Sequence, residues 1–340
     1  MVRRLASLLA AVLLLGAGLG AATAKTPYRD VDLLISSVRN GYGYAYAPTI
    51  VHEGGVYHML YCSYGRIPDA WDYVRYATST DGRTWSRPTI VLNSHDPVGE
   101  RAACDPSLVR YKAPGDERPY WYLFYSGNAL DVQTLMFVAR AEEIGGPYAK
   151  WTRRETWEVD ATDPQAIIRP LNPKPEKAPF YGAGQQSVVV EGGRLVGWYS
   201  DDTTCGATSC LKVFRTETRD PTRWPRGRAT NVTTPSVDVK RDGRGGYVMI
   251  GIENQHDALA ALSLRRSRDG ITWGTPEIVC GPGCFPPYTH NAGISGTATG
   301  GPDASPPLVV YGGPLDRDPR CGTCWAKWDL FGGILDLPRR

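Results

Sequence analysis

A seven-residue stretch occurs twice in the chain. Residues 79–85 read STDGRTW and residues 267–273 read SRDGITW, with Ser, Asp, Gly, Thr and Trp kept in place. The flanks match as well. VRYATSTDGRTWSRPTIVL (74–92) and LSLRRSRDGITWGTPEIVC (262–280) each pass from an alternating stretch through Asp-Gly and Trp into a second β-rich stretch. Asp-Gly between alternating runs is a hairpin signal. Two copies of one hairpin so far apart call for a search for a longer repeat.

That repeat has five copies. Each opens on a small residue, often with Pro, runs through β-branched residues to a Gly turn, and returns on an aromatic strand. The five segments are YAPTIVHEGGVYHMLYCS (46–63), CDPSLVRYKAPGDERPYWYLFYSG (104–127), GQQSVVVEGGRLVGWYSD (184–201), TPSVDVKRDGRGGYVMIGIE (234–253) and NAGISGTATGGPDASPPLVVYGG (291–313). A further strand follows each, as in YVRYATS and LMFVARA. No helical periodicity of useful length interrupts them. The expected fold is all-β, a five-bladed β-propeller with antiparallel three- to four-stranded blades. A β-sandwich also gives short strands but does not explain five copied openings.

The ends and the cysteines bear on location. Arg3 and Arg4, the apolar run LASLLAAVLLLGAGLG and small residues at Ala22 and Ala24 read as a secretory signal over 1–24, leaving 25–340 as a single domain. That run is short for a membrane span. Eight cysteines, with Cys205/Cys210, Cys280/Cys284 and Cys321/Cys324 closely spaced and Cys62 and Cys104 remaining, read as disulfides of a secreted or periplasmic protein. Zinc is the rival for the C-x-x-C at 321–324. The net charge of +3 comes with no basic run, which argues against a nucleic-acid partner. No membrane association is expected, and the chain is expected to be a monomer.

Propeller geometry sorts the polar residues between two faces. The turns holding Glu53, Glu191 and Asp242, and the Asp-Gly turns at Asp81 and Asp269, fall on the bottom and read as structural. Trp85 and Trp273 are then expected to be buried. The top face receives the starts of the first strands and the ends of the second. Its candidate catalytic carboxyls are Asp105, Asp201, Asp202, Glu253 and Asp72. Candidate sugar-binding residues are Tyr44, Tyr46, Gln185, Gln186, Asn254, His256 and Asn291. A funnel with several carboxylates and aromatics suits glycoside hydrolysis, which needs one protonated and one ionised carboxyl.

The chain resembles the five-bladed glycosidases of the arabinanase, β-xylosidase, levansucrase and invertase group, and its Asp-Gly heptads are similar to those of sialidases. CDPSLVRY is similar to the blade-two opening whose Asp, here Asp105, orients the catalytic pair and tunes the acid. HNAGISG (290–296) resembles the last-blade opening, where a His sits near a central ion or water. The resemblance therefore implies no required cofactor, and at most one structural cation in the channel near His290. Two positions depart from the family pattern. Ala47 stands where the general base is expected, and Gln185-Gln186 where the general acid is expected. The implied activity is a secreted glycoside hydrolase acting on a pentose-rich or furanoside-containing polysaccharide. The alternatives are a propeller that binds poly- or oligosaccharide without cutting it, and a structural scaffold.

Overall fold

The computed structural model describes residues 27–36, 43–64, 72–94, 100–128, 133–171, 181–202, 211–314 and 328–336. Within them the protein is all-β, with no helix. The first strand is β1 (Tyr28–Ile35). A meander of β2 (Ala45–Glu53), β3 (Val56–Tyr64), β4 (Asp72–Ser79) and β5 (Thr89–Leu92) follows. The next holds β6 (Cys104–Tyr111), β7 (Tyr120–Gly127), β8 (Leu135–Ala141), β9 (Ala149–Trp151) and β10 (Trp157–Val159). Two four-stranded meanders come next. One is β11 (Ala183–Glu191), β12 (Arg194–Asp202), β13 (Leu211–Thr218) and β14 (Arg228–Ala229). The other is β15 (Asp238–Arg241), β16 (Tyr247–Glu253), β17 (Ala261–Ser267) and β18 (Glu277–Cys280). The last strands are β19 (His290–Gly296), β20 (Leu308–Pro314) and β21 (Trp328–Leu335).

These strands form four sheets. Three are the separate antiparallel meanders β6–β10, β11–β14 and β15–β18. The fourth has eight strands in the order β1-β21-β20-β19-β2-β3-β4-β5. It is two antiparallel halves joined by one parallel pairing, Ser295 with Ile50 and Gly296 with Val51. The sequence repeat does not account for β1, which pairs antiparallel with β21, Tyr28 opposite Leu335.

Consecutive valines show why the sheets stack. In β11, Val188 and Val190 pack with Leu195 and Tyr199 toward the sheet before, while Val189 packs with Val196, Trp198, Val239 and Met249 toward the sheet after. Alternate side chains of a strand point to opposite faces, so a strand covered on both faces is apolar throughout. The core therefore lies between neighbouring sheets.

The first strands of the five repeats meet in a closed order. β2 touches β6, β6 touches β11, β11 touches β15, β15 touches β19, and β19 touches β2. Side chains tie three of these steps. Ser107 Oγ accepts the Val188 N–H at 2.9 Å, Ser187 Oγ accepts the Val239 N–H at 2.9 Å, and the Asp238 carboxylate accepts the Ile294 N–H at 2.9 Å. The residue at the same place in β19 is Gly293. A methyl there would lie 2.1 Å from the Pro48 carbonyl oxygen. Without a side chain in the way, β19 and β2 pair directly through their backbones, and two halves become one sheet.

The repeated heptads are turns, as expected, but not tight hairpins. They connect β4 to β5 and β17 to β18 through wide loops. One Asp81 oxygen accepts the N–H groups of Arg83 and Thr84, and Asp269 does the same for Ile271 and Thr272. A carboxylate that caps its own loop removes the need for a two-residue turn. The two tryptophans differ. Trp273 is buried and donates its indole N–H to Gly270 O, whereas Trp85 is only half-buried at the edge of its cluster. Cys62–Cys104 and Cys280–Cys284 are bonded. Cys205, Cys210, Cys321 and Cys324, and the signal over 1–24, lie outside the described residues. Among the described residues no helix is long and apolar enough to cross a membrane.

Candidate functional site

One residue at or just before the start of each first strand lines a shared cavity. The five are Ala47, Asp105, Gln185, Ser236 and Asn291. All five have a left-handed backbone, with φ of 50°, 46°, 51°, 57° and 41°. In four of the five strands the register with the second strand shifts at this point, as at a β-bulge, which re-aims a side chain next to a site. Left-handed backbone disfavours residues other than Gly, Asn and Asp. Asp105 and Asn291 tolerate it, while Ala47, Gln185 and Ser236 are held there by their neighbours. The cavity is about 30 Å³, space for water but not for a sugar ring. A larger ligand must rest above the ring.

Three ring members carry buried oxygens with no hydrogen-bond partner: Gln185 Oε1, Ser236 Oγ and Asn291 Oδ1. A buried polar atom left without a partner costs about 1–3 kcal/mol. Unpartnered oxygens on residues lining one cavity suit a ligand rich in hydroxyl donors.

Asp105 is the one carboxylate of the ring. It accepts hydrogen bonds from Tyr181 Oη at 2.9 Å and Asn291 Nδ2 at 2.9 Å, and its backbone N–H donates to Cys62 Sγ at 2.9 Å. Gln186 Nε2 donates to its carbonyl. Burial raises its pKa, opposed by the donors from Tyr181, Ser126 and Asn291. Asp72, at the start of β4, is 8% exposed and lies beside it. Tyr44 donates to one Asp72 oxygen at 2.7 Å and Tyr46 to the other at 3.2 Å. Burial pushes the Asp72 carboxyl up to about 7, with the Asp105 charge adding to the rise and the two phenols opposing it. Asp72 is thus protonated over most of the acidic range, as a proton donor requires.

The other candidates divide. Glu253 is held by Arg265 at 2.8 Å, Ser263 at 2.7 Å and Thr234 at 2.9 Å, so its carboxylate is committed to the β16–β17 hairpin. Asp201 is fully buried and accepts the Leu171 N–H. Asp202 ends β12 opposite Leu211. Asn254 and His256 lie in the turn after β16 with left-handed backbones. Tyr46 is a support for Asp72 rather than an open stacking platform, being 6% exposed. His290 is buried between Tyr46, His256 and Trp328, with ring centroids at 5.6, 4.4 and 4.9 Å. Burial, and then His256, hold its pKa well below the usual histidine value, so the ring is neutral.

Sequence reasoning missed Tyr181 and Trp328. Tyr181 stands four residues before Gln185 and just ahead of β11, which is the only sequence hint that it belongs to the site. The metal-ligating potential of Cys62, Cys104 and Asp105 is cancelled by the disulfide, which leaves no thiolate.

No protein-family model and no curated protein matches the sequence. Solved structures do. Zg3597, a family 117 glycoside hydrolase from Zobellia galactanivorans, is 14% identical with a TM-score of 0.59, covering 92% of this chain and 91% of its own. An endo-arabinase from Bacteroides thetaiotaomicron is 12% identical with a TM-score of 0.57, covering 91% and 99%. An N-acetylgalactosamine deacetylase from F. plautii is 14% identical with a TM-score of 0.57, covering 85% and 89%. The chain shares its fold with these carbohydrate-active enzymes over nearly its whole length. At this identity the likeness concerns the fold, and the reaction must be argued from the site.

Proposed function

We propose that the protein is a secreted glycoside hydrolase built as a five-bladed β-propeller, acting on a pentose-rich or furanoside-containing polysaccharide. The closed order of β2, β6, β11, β15 and β19 supports the propeller, with β1, β21, β20 and β19 as the fifth blade and β2–β5 as the first. One observation carries the chemistry: the buried Asp72 carboxyl lies close enough to feel the charge of Asp105, which lines the cavity, and Asp72 titrates near neutrality. Asp72 donates a proton to the leaving oxygen. Asp105, kept accessible to the cavity and held by Tyr181 and Asn291, acts as the base or nucleophile on the sugar. The unpartnered oxygens of Gln185, Ser236 and Asn291 accept sugar hydroxyls. The acid-base pair has thereby moved away from the positions now held by Ala47 and Gln185.

The reading asks for no cofactor, so a chelator should leave turnover unchanged. It takes residues 1–24 as a cleaved signal and the working form as a monomer. A second reading, carbohydrate binding without cleavage, is favoured by the presence of a single carboxylate in the ring of five. A reducing-end assay over plant and bacterial polysaccharides, run beside calorimetric binding, separates the two. Wild-type turnover that Asp72→Asn and Asp105→Asn abolish, with binding retained, supports the hydrolase. Binding without turnover on every substrate supports the binder.

A further inference from the structure

The Cys62–Cys104 disulfide occupies a position that recurs around the ring. In four of the five repeats, the residue before the ring residue pairs with a residue on the second strand: Tyr46 with Cys62, Cys104 with Ser126, Gly184 with Ser200, His290 with Gly312. That second-strand residue faces the next repeat. Ser126 Oγ accepts the backbone N–H of Gln185 at 2.9 Å, and Ser200 Oγ that of Ser236 at 3.4 Å. At the corresponding step Cys62 Sγ accepts the N–H of Asp105. Here alone among these steps the second-strand residue is also covalently bonded to Cys104, the residue before its hydrogen-bond donor Asp105. The covalent step falls where the ring residue is the carboxylate. Gly312, by contrast, has no side chain, and a methyl there would meet Tyr46 Cβ at 2.7 Å.

We infer that the Cys62–Cys104 bond is a positioning element for Asp105, holding its left-handed backbone so that the carboxylate meets Tyr181 and Asn291 beside Asp72. A sulfur is a weaker acceptor than a hydroxyl. The hydrogen bond that suffices at Gln185 is therefore replaced by a weaker one reinforced by a bond that cannot slip. Both sulfurs are buried, Cys62 at 0% and Cys104 at 5% exposure, so the bond is a fixed part of the site and not an exposed thiol-disulfide switch. Its catalytic consequence rests on the hydrolase reading, but its effect on Asp105 does not.

The groups facing Asp105 are Tyr181, Asn291 and Ser126, with Asp72 and Tyr46 close by. Burial among them raises its pKa, and a loosened Asp105 takes up water and titrates lower. The test compares wild type, Cys62→Ser/Cys104→Ser, Cys62→Ala/Cys104→Ala and, as a control for losing a disulfide, Cys280→Ala/Cys284→Ala. Carboxyl 13C NMR follows the Asp105 titration, assigned by the signal lost in Asp105→Asn. The expected result is a fall in the Asp105 midpoint toward the ordinary carboxylate value in both Cys62/Cys104 variants, and none in the control. On the best polysaccharide, kcat falls about tenfold with KM within twofold, for a displaced reacting group. An unmoved midpoint in a folded serine variant overturns the inference. So does a serine variant that fails to fold, because the bond would then be a staple alone. A midpoint that moves in the variants, with a wild type that turns over nothing, supports the positioning role and refutes the hydrolase reading.

Discussion

Replacing Gly293 with alanine tests how the ring of first strands is closed. The new methyl would lie 2.1 Å from the Pro48 carbonyl oxygen and 3.0 Å from its carbon. A carbon and a carbonyl oxygen rest comfortably at about 3.3 Å, so β19 and β2 must part by roughly an ångström. Neither partner is the end of a flexible side chain that could swing away. Overpacking of this kind costs about 1–3 kcal/mol. Weakening the parallel bridge at Ser295/Ile50 and Gly296/Val51 adds about 1 kcal/mol per hydrogen bond lost. The reduced freedom of the unfolded alanine chain offsets about 0.4–1 kcal/mol. The net loss is about 2–4 kcal/mol. At roughly 2 °C per kcal/mol for a chain of this length, Tm falls by about 4–8 °C. Urea unfolding followed by tryptophan fluorescence gives the free energy, with Gly251→Ala as the comparison, since a methyl there meets neighbours at an ordinary 3.5 Å. A Gly293→Ala protein as stable as Gly251→Ala would refute direct backbone closure as the reason the two halves form one sheet.

Asp72→Asn should lower kcat at least 10²-fold, the ordinary contribution of a positioned acid. In the wild type, activity should fall as pH rises through about 7, where Asp72 ionises. The same substitution should raise stability at pH 8. The folded Asp72 holds its proton up to about 7 while the unfolded chain releases it near 4, so a penalty builds across that window and asparagine removes it. Hydrogen bonding moves Asp269 the other way: backbone N–H groups of Ile271 and Thr272 bring it down to about 2. Its contribution is present above pH 4 and lost toward pH 2, so melts of Asp269→Asn should lose less stability than wild type between pH 5 and 2. Trp273→Ala should cost about 3 kcal/mol or more and Trp85→Ala distinctly less, because only the first indole is buried; equal melting losses would contradict the burial difference.

What could be read in the sequence was whatever repeats. Five openings and two heptads announce an all-β chain of short antiparallel strands, and Asp105 stands out because it stands at the opening of one of them. The closing strand β1 could not be found this way, since YRDVDLLI gains meaning only from a partner some three hundred residues on. The chemistry of Asp72 was also hidden. Its raised pKa comes from burial and from the neighbouring Asp105, against the pull of the Tyr44 and Tyr46 phenols, none of which a local motif records. The same holds for Glu253, which looks available at a strand end until Arg265 is seen beside it. Cys62 and Cys104 could be paired from their expected positions on adjacent repeats, but the hydrogen bond from Asp105 to the sulfur is a property of the folded bulge.

The pairing of Tyr28 with Leu335 also governs the order in which the molecule can be assembled. β1 is among the first strands to be synthesised and its partner among the last, so the sheet they share cannot exist on any partial chain. Long-range closure of this kind makes folding slow. It also makes the sequential start of the chain arbitrary to the finished ring. A circular permutant that joins the ends near β1 and β21 and opens instead at the exposed Gly192-Gly193 turn would keep every strand beside its present neighbours.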